Sequence, residues 1–382
     1  MKFIHLSDLH IGKSINGFPM LEEQRHAFNQ IIGYMESNKA DAVIIAGDVY
    51  DRAVPSVEAV KLFDWLLTQI ALRNVPIMII SGNHDSPERL NFASRLLSRR
   101  DIFISGEFDG ELRCVTLQDE YGDVRFWLMP FVKPALVSGF FPDRRIESYG
   151  DAAAAALETA RLDSNIRNVL VSHQFYTPAG AVLIRSESEI NPIGGLDAID
   201  AGLLKEFDYA ALGHLHRSQK AGSENIRYAG SPVKYSISEW MHQKSVLLVD
   251  MREKGEVITE ALPLTPIRDM REIKGKLETL ISAEIVSQAD REDYLHVILT
   301  DEEELVDPMG KVRGVYPNVM SLDFENARTT VDLSSIRAGT EPIEALSAFD
   351  LFSEFFLDAQ GSVMSNEQAG IIRELLEMEE MH

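Results

Sequence analysis

Cysteine is almost missing from this chain: Cys114 is the only one in 382 residues. No disulfide can therefore form within the chain, and a small core residue in a reducing, cytosolic setting is expected for Cys114. Long hydrophobic runs are also absent. No apolar stretch approaches the roughly 20 residues that cross a bilayer, so no membrane partner is expected. The N-terminus enters a strand-like run directly, without the pattern of a signal peptide. Basic residues are scarce, 37 Lys and Arg against 60 Asp and Glu, for a net charge of −23. Taken whole, that balance speaks against a nucleic-acid partner. Its distribution weakens the objection, because residues 271–382 carry 24 acidic and 9 basic side chains, a net −15, and leave −8 for residues 1–270. Cations bound among clustered acids would offset still more, so charge alone excludes no substrate.

What is present is a soluble globular composition, 45% hydrophobic and 25% charged, on a chain long enough for two or three domains. Five short apolar runs have the length and β-branched content of buried strands. They are Phe3–Leu6, Ala42–Ala46, Ile77–Ile80, Val169–Val171 and Tyr209–Leu212. Each is followed by polar residues of metal-ligand type: Asp8 and His10, Asp48, Asn83 with His84 and Asp85, His173, and His214 with His216. In an open α/β sheet, ligands gather outside the carboxyl ends of the strands. These loops should therefore converge on one edge, and only a metal cluster readily explains so many such groups together.

Taken singly, each motif has an ordinary explanation. Asp8-x-His10 arises by chance, Gly47-Asp48 makes turns, and a lone histidine is usually a satisfied core residue. Together they point to chemistry, because five of the chain's ten histidines lie in these loops. Asp48 can bridge two cations, the Asn83 amide is a neutral ligand beside carboxylates, and His84 would face whatever anion the metals bind.

The order along residues 1–250 resembles calcineurin-like metallophosphoesterases. That resemblance implies one metal on Asp8, His10, Asp48 and His216, and a second on Asp48, Asn83, His173 and His214. Mixed oxygen and imidazole donors suit Mn, Fe or Zn. His84 would donate a proton to the leaving alkoxide or stabilise the phosphorane. Asp51 would orient His84, or alternatively serve only as a turn or cap residue. Gly47–Arg52 with Gly82-Asn83-His84 is also similar to protein serine/threonine phosphatases, but those carry Glu where Asp85 stands and lack the Gly213-His-Leu-His216 form.

The fuller pattern resembles SbcD-type nuclease subunits of bacterial SbcCD DNA-repair complexes. It rests on Leu6–Gly12, Ala46–Asp51, Ser81–Ser86, Ala211–Arg217 and Tyr228-Ala-Gly-Ser-Pro232. The resemblance implies two Mn2+ ions, DNA as substrate, and a homodimer joined through the nuclease domain. It also implies a heterotetramer with two copies of an SbcC-like coiled-coil ATPase, in the cytoplasm and associated with the nucleoid. A nucleotide phosphodiesterase or phosphatase would share every metal ligand, and a non-catalytic scaffold would not need the complete set. Lys13, Arg52, Arg89, Lys133 and Arg185 are candidates to touch the DNA backbone.

The expected fold is α/β (α+β), a four-layer metallophosphoesterase β-sandwich flanked by helices, over residues 1–265. Helices are expected over Leu21–Ser37, Ser56–Leu72 and Ala152–Ala160. A small α/β capping domain should follow over 266–326, with helices near Lys276–Ile285 and Leu305–Val312. Residues 327–342 read as a linker and 343–382 as C-terminal helices. The first of these, Ile343–Leu357, is too apolar to lie bare, so it packs on the protein itself or on a partner. The resemblance implies that it docks on the ATPase of the complex. The second opens with the capping-box pattern Ser365-x-x-Gln368.

Overall fold

Residues that alternate between two apolar surroundings build two packed sheets. The computed structural model describes residues 1–178 and 198–326, with Leu183, Ser186, Glu189 and scattered positions between 349 and 372. It divides into two compact units, Met1–Met270 and Arg271–His382.

In the first unit, one six-stranded sheet has the order Val257–Pro263, Ser245–Met251, Lys2–Leu6, Ala42–Ala46, Ile77–Ile80, Ile102–Ser105. Its last four strands run parallel. The second sheet has the order Gln219–Lys220, Ile226–Tyr228, Tyr209–Leu212, Arg167–Ser172, Gly122–Met129, Arg113–Asp119. Its four inner strands are parallel as well. Side chains of a strand alternate between faces. Phe3, Ala42, Ile44, Ala46, Met78 and Ile80 thus meet Phe126, Leu128, Val169, Val171, Tyr209 and Ala211 between the sheets. Their neighbours Ile4, Val43, Ile45, Ile77 and Ile79 face outward onto Phe28, Ile31, Leu62, Leu66 and Ile70 of helices Leu21–Ser37 and Val57–Ala71. On the far side Leu170, Ala210 and Leu212 pack with Ala152, Ala153 and Ala156 of helix Tyr149–Leu157. The result is four layers, helix–sheet–sheet–helix, as the α/β reading expected.

Several boundaries differ from expectation, each for a local reason. The Ala-rich helix starts at Tyr149 because Ser148 and Asp151 form a capping box. Strands Ile102–Ser105, Arg113–Asp119 and Gly122–Met129 went unread. Cys114 is exposed rather than a core residue, because it lies on the outward face of the edge strand Arg113–Asp119. The first unit continues past residue 265 because its end is tied down: Ile267 N donates to Glu23 at 2.9 Å, and Arg268 pairs with Glu22 and Glu23.

The second unit has strands Met270–Gly275, Tyr294–Leu299 and Val319–Phe324 over a core of Leu280, Leu295, Val297, Val312 and Val319. The helix expected over Lys276–Ile285 is two short ones, Leu277–Leu280 and Ala283–Val286, because Ser282 caps a new start. The next helix waits until Pro308, whose ring suits a first helical position, with Asp307 as its cap. The linker 327–342 and Arg185 lie outside the described residues, as do most of 343–382. Phe349, Phe352 and Phe356 are helical, and the Ser365–Gln368 capping box forms. Among the described residues no helix is long and apolar enough to cross a membrane.

One polar contact joins the sheets through their shared core. His5 accepts from the Tyr209 hydroxyl at 3.0 Å and donates to Leu212 O at 3.2 Å. Burial drives its pKa down to about 3, against the hydrogen bond to Leu212. The ring thus stays neutral when folded, whereas the unfolded chain takes up a proton below pH 6.5. Its contribution to stability is whole above pH 6.5 and is lost as pH falls toward 3. Between pH 6.5 and 5 the loss from this group amounts to about 2 kcal/mol. His5→Gln should show a correspondingly smaller drop in urea-unfolding free energy over that interval. An identical drop in both proteins would contradict this account.

Candidate metal centre

The parallel strands deliver their following loops to one edge of the sandwich. Leu6 leads to Asp8 and His10, Ala46 to Asp48, Ile80 to Asn83 and His84, Ser172 to His173, and Leu212 to His214 and His216. The first two loops are joined by main-chain bonds, Asp8 N to Gly47 O at 3.1 Å and His10 N to Asp48 O at 3.0 Å. Asp8, His10, Asp48 and His214 all have positive φ. Such backbone costs about 1–3 kcal/mol per residue and persists only where surroundings over-determine it.

Close approach of these loops explains the motif glycines. A Cβ at Gly82 would lie 2.1 Å from Asp48 Oδ1. One at Gly213 would lie 2.0 Å from Ala46 O and 2.6 Å from His173 Nδ1. Only glycine admits the neighbouring loop so near.

The seven expected ligands come together. Nε2 of His10 and Nε2 of His216 are 3.1 Å apart. Two nitrogens on adjacent positions of an ion at about 2.1 Å are separated by about 3 Å, so this pair suits a shared cation. With Asp8 these rings form one compact donor group, Asp8, Asp48 and His173 form another, and His10, Asp48 and His84 form a third. Asn83 Oδ1 lies 3.1 Å from both His173 Nε2 and His214 Nδ1. Asp48 Oδ2 stands between the sets, 3.5 Å from His10 Nε2 and 3.3 Å from His173 Nε2. Asp8, His10, Asp48, His173 and His216 are all almost fully buried.

Electrostatics follow from that burial. Burial opposes charge on Asp48, but His173, His10 and His84 around it outweigh burial and hold its pKa well below the usual carboxylate range. His173 is correspondingly raised to about 9, because Asp48 and Asp8 overcome the penalty of burial. Its Nδ1–H donates to Ala46 O at 2.7 Å, which turns Nε2 toward Asp48 and Asn83. Binding a cation there would displace the Nε2 proton.

His84 and Asp51 are linked, though not as expected. Nδ1 of His84 donates to the main-chain oxygen of Asp51 at 3.0 Å. The Asp51 carboxylate instead takes Lys13 at 2.8 Å. Lys13 is thereby neutralised, while Arg52, Arg89 and Lys133 are exposed. Other residues contribute in ways the sequence did not specify. Asp85 accepts from the amides of Val49, Tyr50 and Gly82 at 2.9–3.0 Å, and so ties two ligand loops together. Ser7 donates to Asp8 at 2.5 Å, and Glu239 meets His216 Nδ1 at 3.1 Å. The adjoining ligand motifs pointed to Ser7 and Asp85, but no sequence signal marked Glu239.

A layered sandwich with carboxylates and imidazoles at the carboxyl ends of its parallel strands defines a metal-dependent phosphoesterase. Residues 1–218 match the calcineurin-like phosphoesterase family, and residues 266–360 match the type 5 capsule protein repressor C-terminal domain. The SbcD subunit of the SbcCD nuclease of Staphylococcus epidermidis is 33% identical over 326 residues, covering 84% of this chain and 85% of that protein. Its counterpart in Staphylococcus saprophyticus is 30% identical over 380 residues, 98% of both chains. A solved dimetal phosphatase from Danio rerio aligns at 11% identity and a TM-score of 0.40, covering 70% of this chain and 97% of that one. The chain belongs to the calcineurin-like phosphoesterases and, within them, to the SbcD family of SbcCD nuclease subunits. It is a metal-dependent hydrolase of phosphoesters, and the donor set fits the divalent ions its family implies.

Gly213→Ala should cost about 3 kcal/mol or more, through overpacking against Ala46 and His173, and should lower retained metal. Gly33→Ala, in open space on helix Leu21–Ser37, should instead gain up to about 1 kcal/mol. Thermal melts with metal analysis of both variants check the pair.

Proposed function

We propose that this chain is the Mn-dependent nuclease subunit of a DNA-processing complex. It would hydrolyse DNA phosphodiester bonds as an exonuclease and endonuclease, in the processing of double-strand breaks and hairpins. The observation that carries the reading is Asp48, a buried carboxylate within 3.5 Å of a ring nitrogen from each donor set.

In this reading Asp8, His10, Asp48 and His216 hold one ion, and Asp48, Asn83, His173 and His214 hold the other. Two divalent ions so held would supply an activated water and neutralise charge on the phosphate oxygens. This assignment leaves His84 free to act on the substrate, although its ring stands close enough to His10 and Asp48 to form a donor group with them. With Nδ1–H committed to the Asp51 carbonyl, its Nε2 is the nitrogen that addresses the leaving alkoxide or the phosphorane oxygens. Asp51 thus positions His84 through its main chain, while its carboxylate holds Lys13 beside the site.

The proposed partners are supported by the name of the staphylococcal relatives and by apolar surface. Two copies would pair through the nuclease unit, where Val54, Val57, Val60, Phe92 and Leu96 are exposed. Phe92 is 81% exposed, an unusual state for a large aromatic residue. Residues 343–382 would dock on a coiled-coil ATPase of SbcC type, two of each chain forming the assembly. The site of action would be the cytoplasm, at the nucleoid.

Mn-dependent digestion of linear duplex DNA, with and without the co-purified ATPase, tests the activity. His84→Asn should keep its metal content and reduce cleavage by at least about a hundredfold. Loss of metal from this variant would overturn the role given to His84. Deleting residues 341–382 should spare hydrolysis of a nitrophenyl phosphodiester and abolish capture of the ATPase. Full-strength capture by the truncated chain would refute the docking role.

A further inference from the structure

The segment after the last histidine pair buries two opposite charges that the reaction itself does not use. Glu239, at the end of the short helical turn Ile237–Glu239, is completely buried, and Lys244 is 7% exposed. Their side chains meet at 2.6 Å. Each also grips His216. Glu239 Oε1 accepts from the ring Nδ1 at 3.1 Å, and Lys244 Nζ donates to the His216 main-chain oxygen at 2.9 Å. Lys244 reaches Ser231 Oγ at 2.8 Å as well, and Glu239 Oε2 accepts from Tyr235 N at 3.1 Å. Glu189 completes the clasp by accepting from His216 N at 2.7 Å.

An isolated buried ion pair is seldom a net source of stability, because desolvation cancels much of its attraction. This pair has another effect. A carboxylate accepts only, so it fixes the proton of neutral His216 on Nδ1 and leaves the Nε2 lone pair facing His10. Donation to a carboxylate also makes the other ring nitrogen a better ligand. His10 is held less closely, since its buried Nδ1 makes no hydrogen bond and the carboxylate oxygen Asp51 Oδ1 stands off from it at 3.8 Å.

We infer that Glu239 and Lys244 are positioning residues for the ion that His10 and His216 share, setting the tautomer and the angle of His216. The segment Tyr228–Pro232 belongs to the same device. A Cβ at Gly230, where φ is +81°, would lie 2.9 Å from His216 O, so glycine there keeps that oxygen open to Lys244. The inference rests on the metal-centre reading above, and its test separates the two.

Mn2+ alone is titrated calorimetrically into the metal-free full chain. The wild type should bind two ions. Glu239→Gln should weaken one of them about 10–100-fold and leave the other unchanged, the usual effect of removing the partner of a metal-bound histidine. Asp119→Asn controls for stability. It breaks a comparable pair with Arg167, at the opposite end of the strand that leads to His173, and should lower the melting temperature without changing Mn2+ affinity. If the wild type binds no Mn2+, the metal-centre reading fails. If it binds two ions and Glu239→Gln matches Asp119→Asn in affinity, the positioning role is overturned. Nitrogen NMR of the histidine rings in the metal-free wild type gives a second readout that needs no variant of Glu239. The His216 resonances, identified by their loss in His216→Asn, should report the Nδ1–H form. An Nε2–H form would also overturn the inference.

Discussion

The structure depends on keeping Asp48 ionised where water is excluded. A buried carboxylate would ordinarily take up a proton, and the chain prevents this by surrounding Asp48 with imidazoles. The other features of the edge serve that arrangement. The left-handed backbone at Asp8, His10 and Asp48 turns the ligands inward. Glycines let the loops touch, and the Asp85 carboxylate binds the Gly47 and Gly82 loops into one body. The apolar strands behind them provide a foundation that does not yield.

Much of this was legible in the sequence because metal ligands at strand ends produce a simple alternation, apolar run then polar residue. The five strands that lead to the edge, and the polar residues that follow them, could be named from that alone. The amphipathic helices Leu21–Ser37 and Val57–Ala71 were equally plain, since each lays one apolar stripe on a sheet. What escaped had weaker periodicity or nonlocal cause. Arg113–Asp119 is an edge strand with alternate residues in water, so its composition resembles a loop, and Cys114 was expected in the core only because a lone cysteine is usually a small buried residue. Asp51 was expected to act through its carboxylate, yet its main-chain oxygen reaches His84, and main-chain roles leave no mark on residue identity. No sequence signal sets Glu239 and Lys244 apart from ordinary surface charges. Only the fold shows that both are enclosed.

The two units contrast in how they hold together. The first has helices on both outer faces of a double sheet and a continuous core. The second is built from short helices punctuated by Ser282 and Pro308 around a three-stranded sheet. Short elements carry faint sequence signals, which is why the helix boundaries expected there shifted, as did those of the Ala-rich helix Tyr149–Leu157, while the two long helices of the first unit held to within one residue.

The donors are drawn from both sheets: Asp8, His10, Asp48 and Asn83 from one, His173, His214 and His216 from the other. The side chains between the two sheets interdigitate. Yet the sheets are joined there by packing and not by a hydrogen-bonded ladder, so sliding of one plate over its neighbour is the softest deformation a sandwich has. Ions gripped from both sides would act as rivets against that shear, and the His5–Tyr209 contact is a lighter pin through the same plates. Loading the centre with metal should therefore stiffen the whole sandwich mechanically, far from the loops where the ions sit.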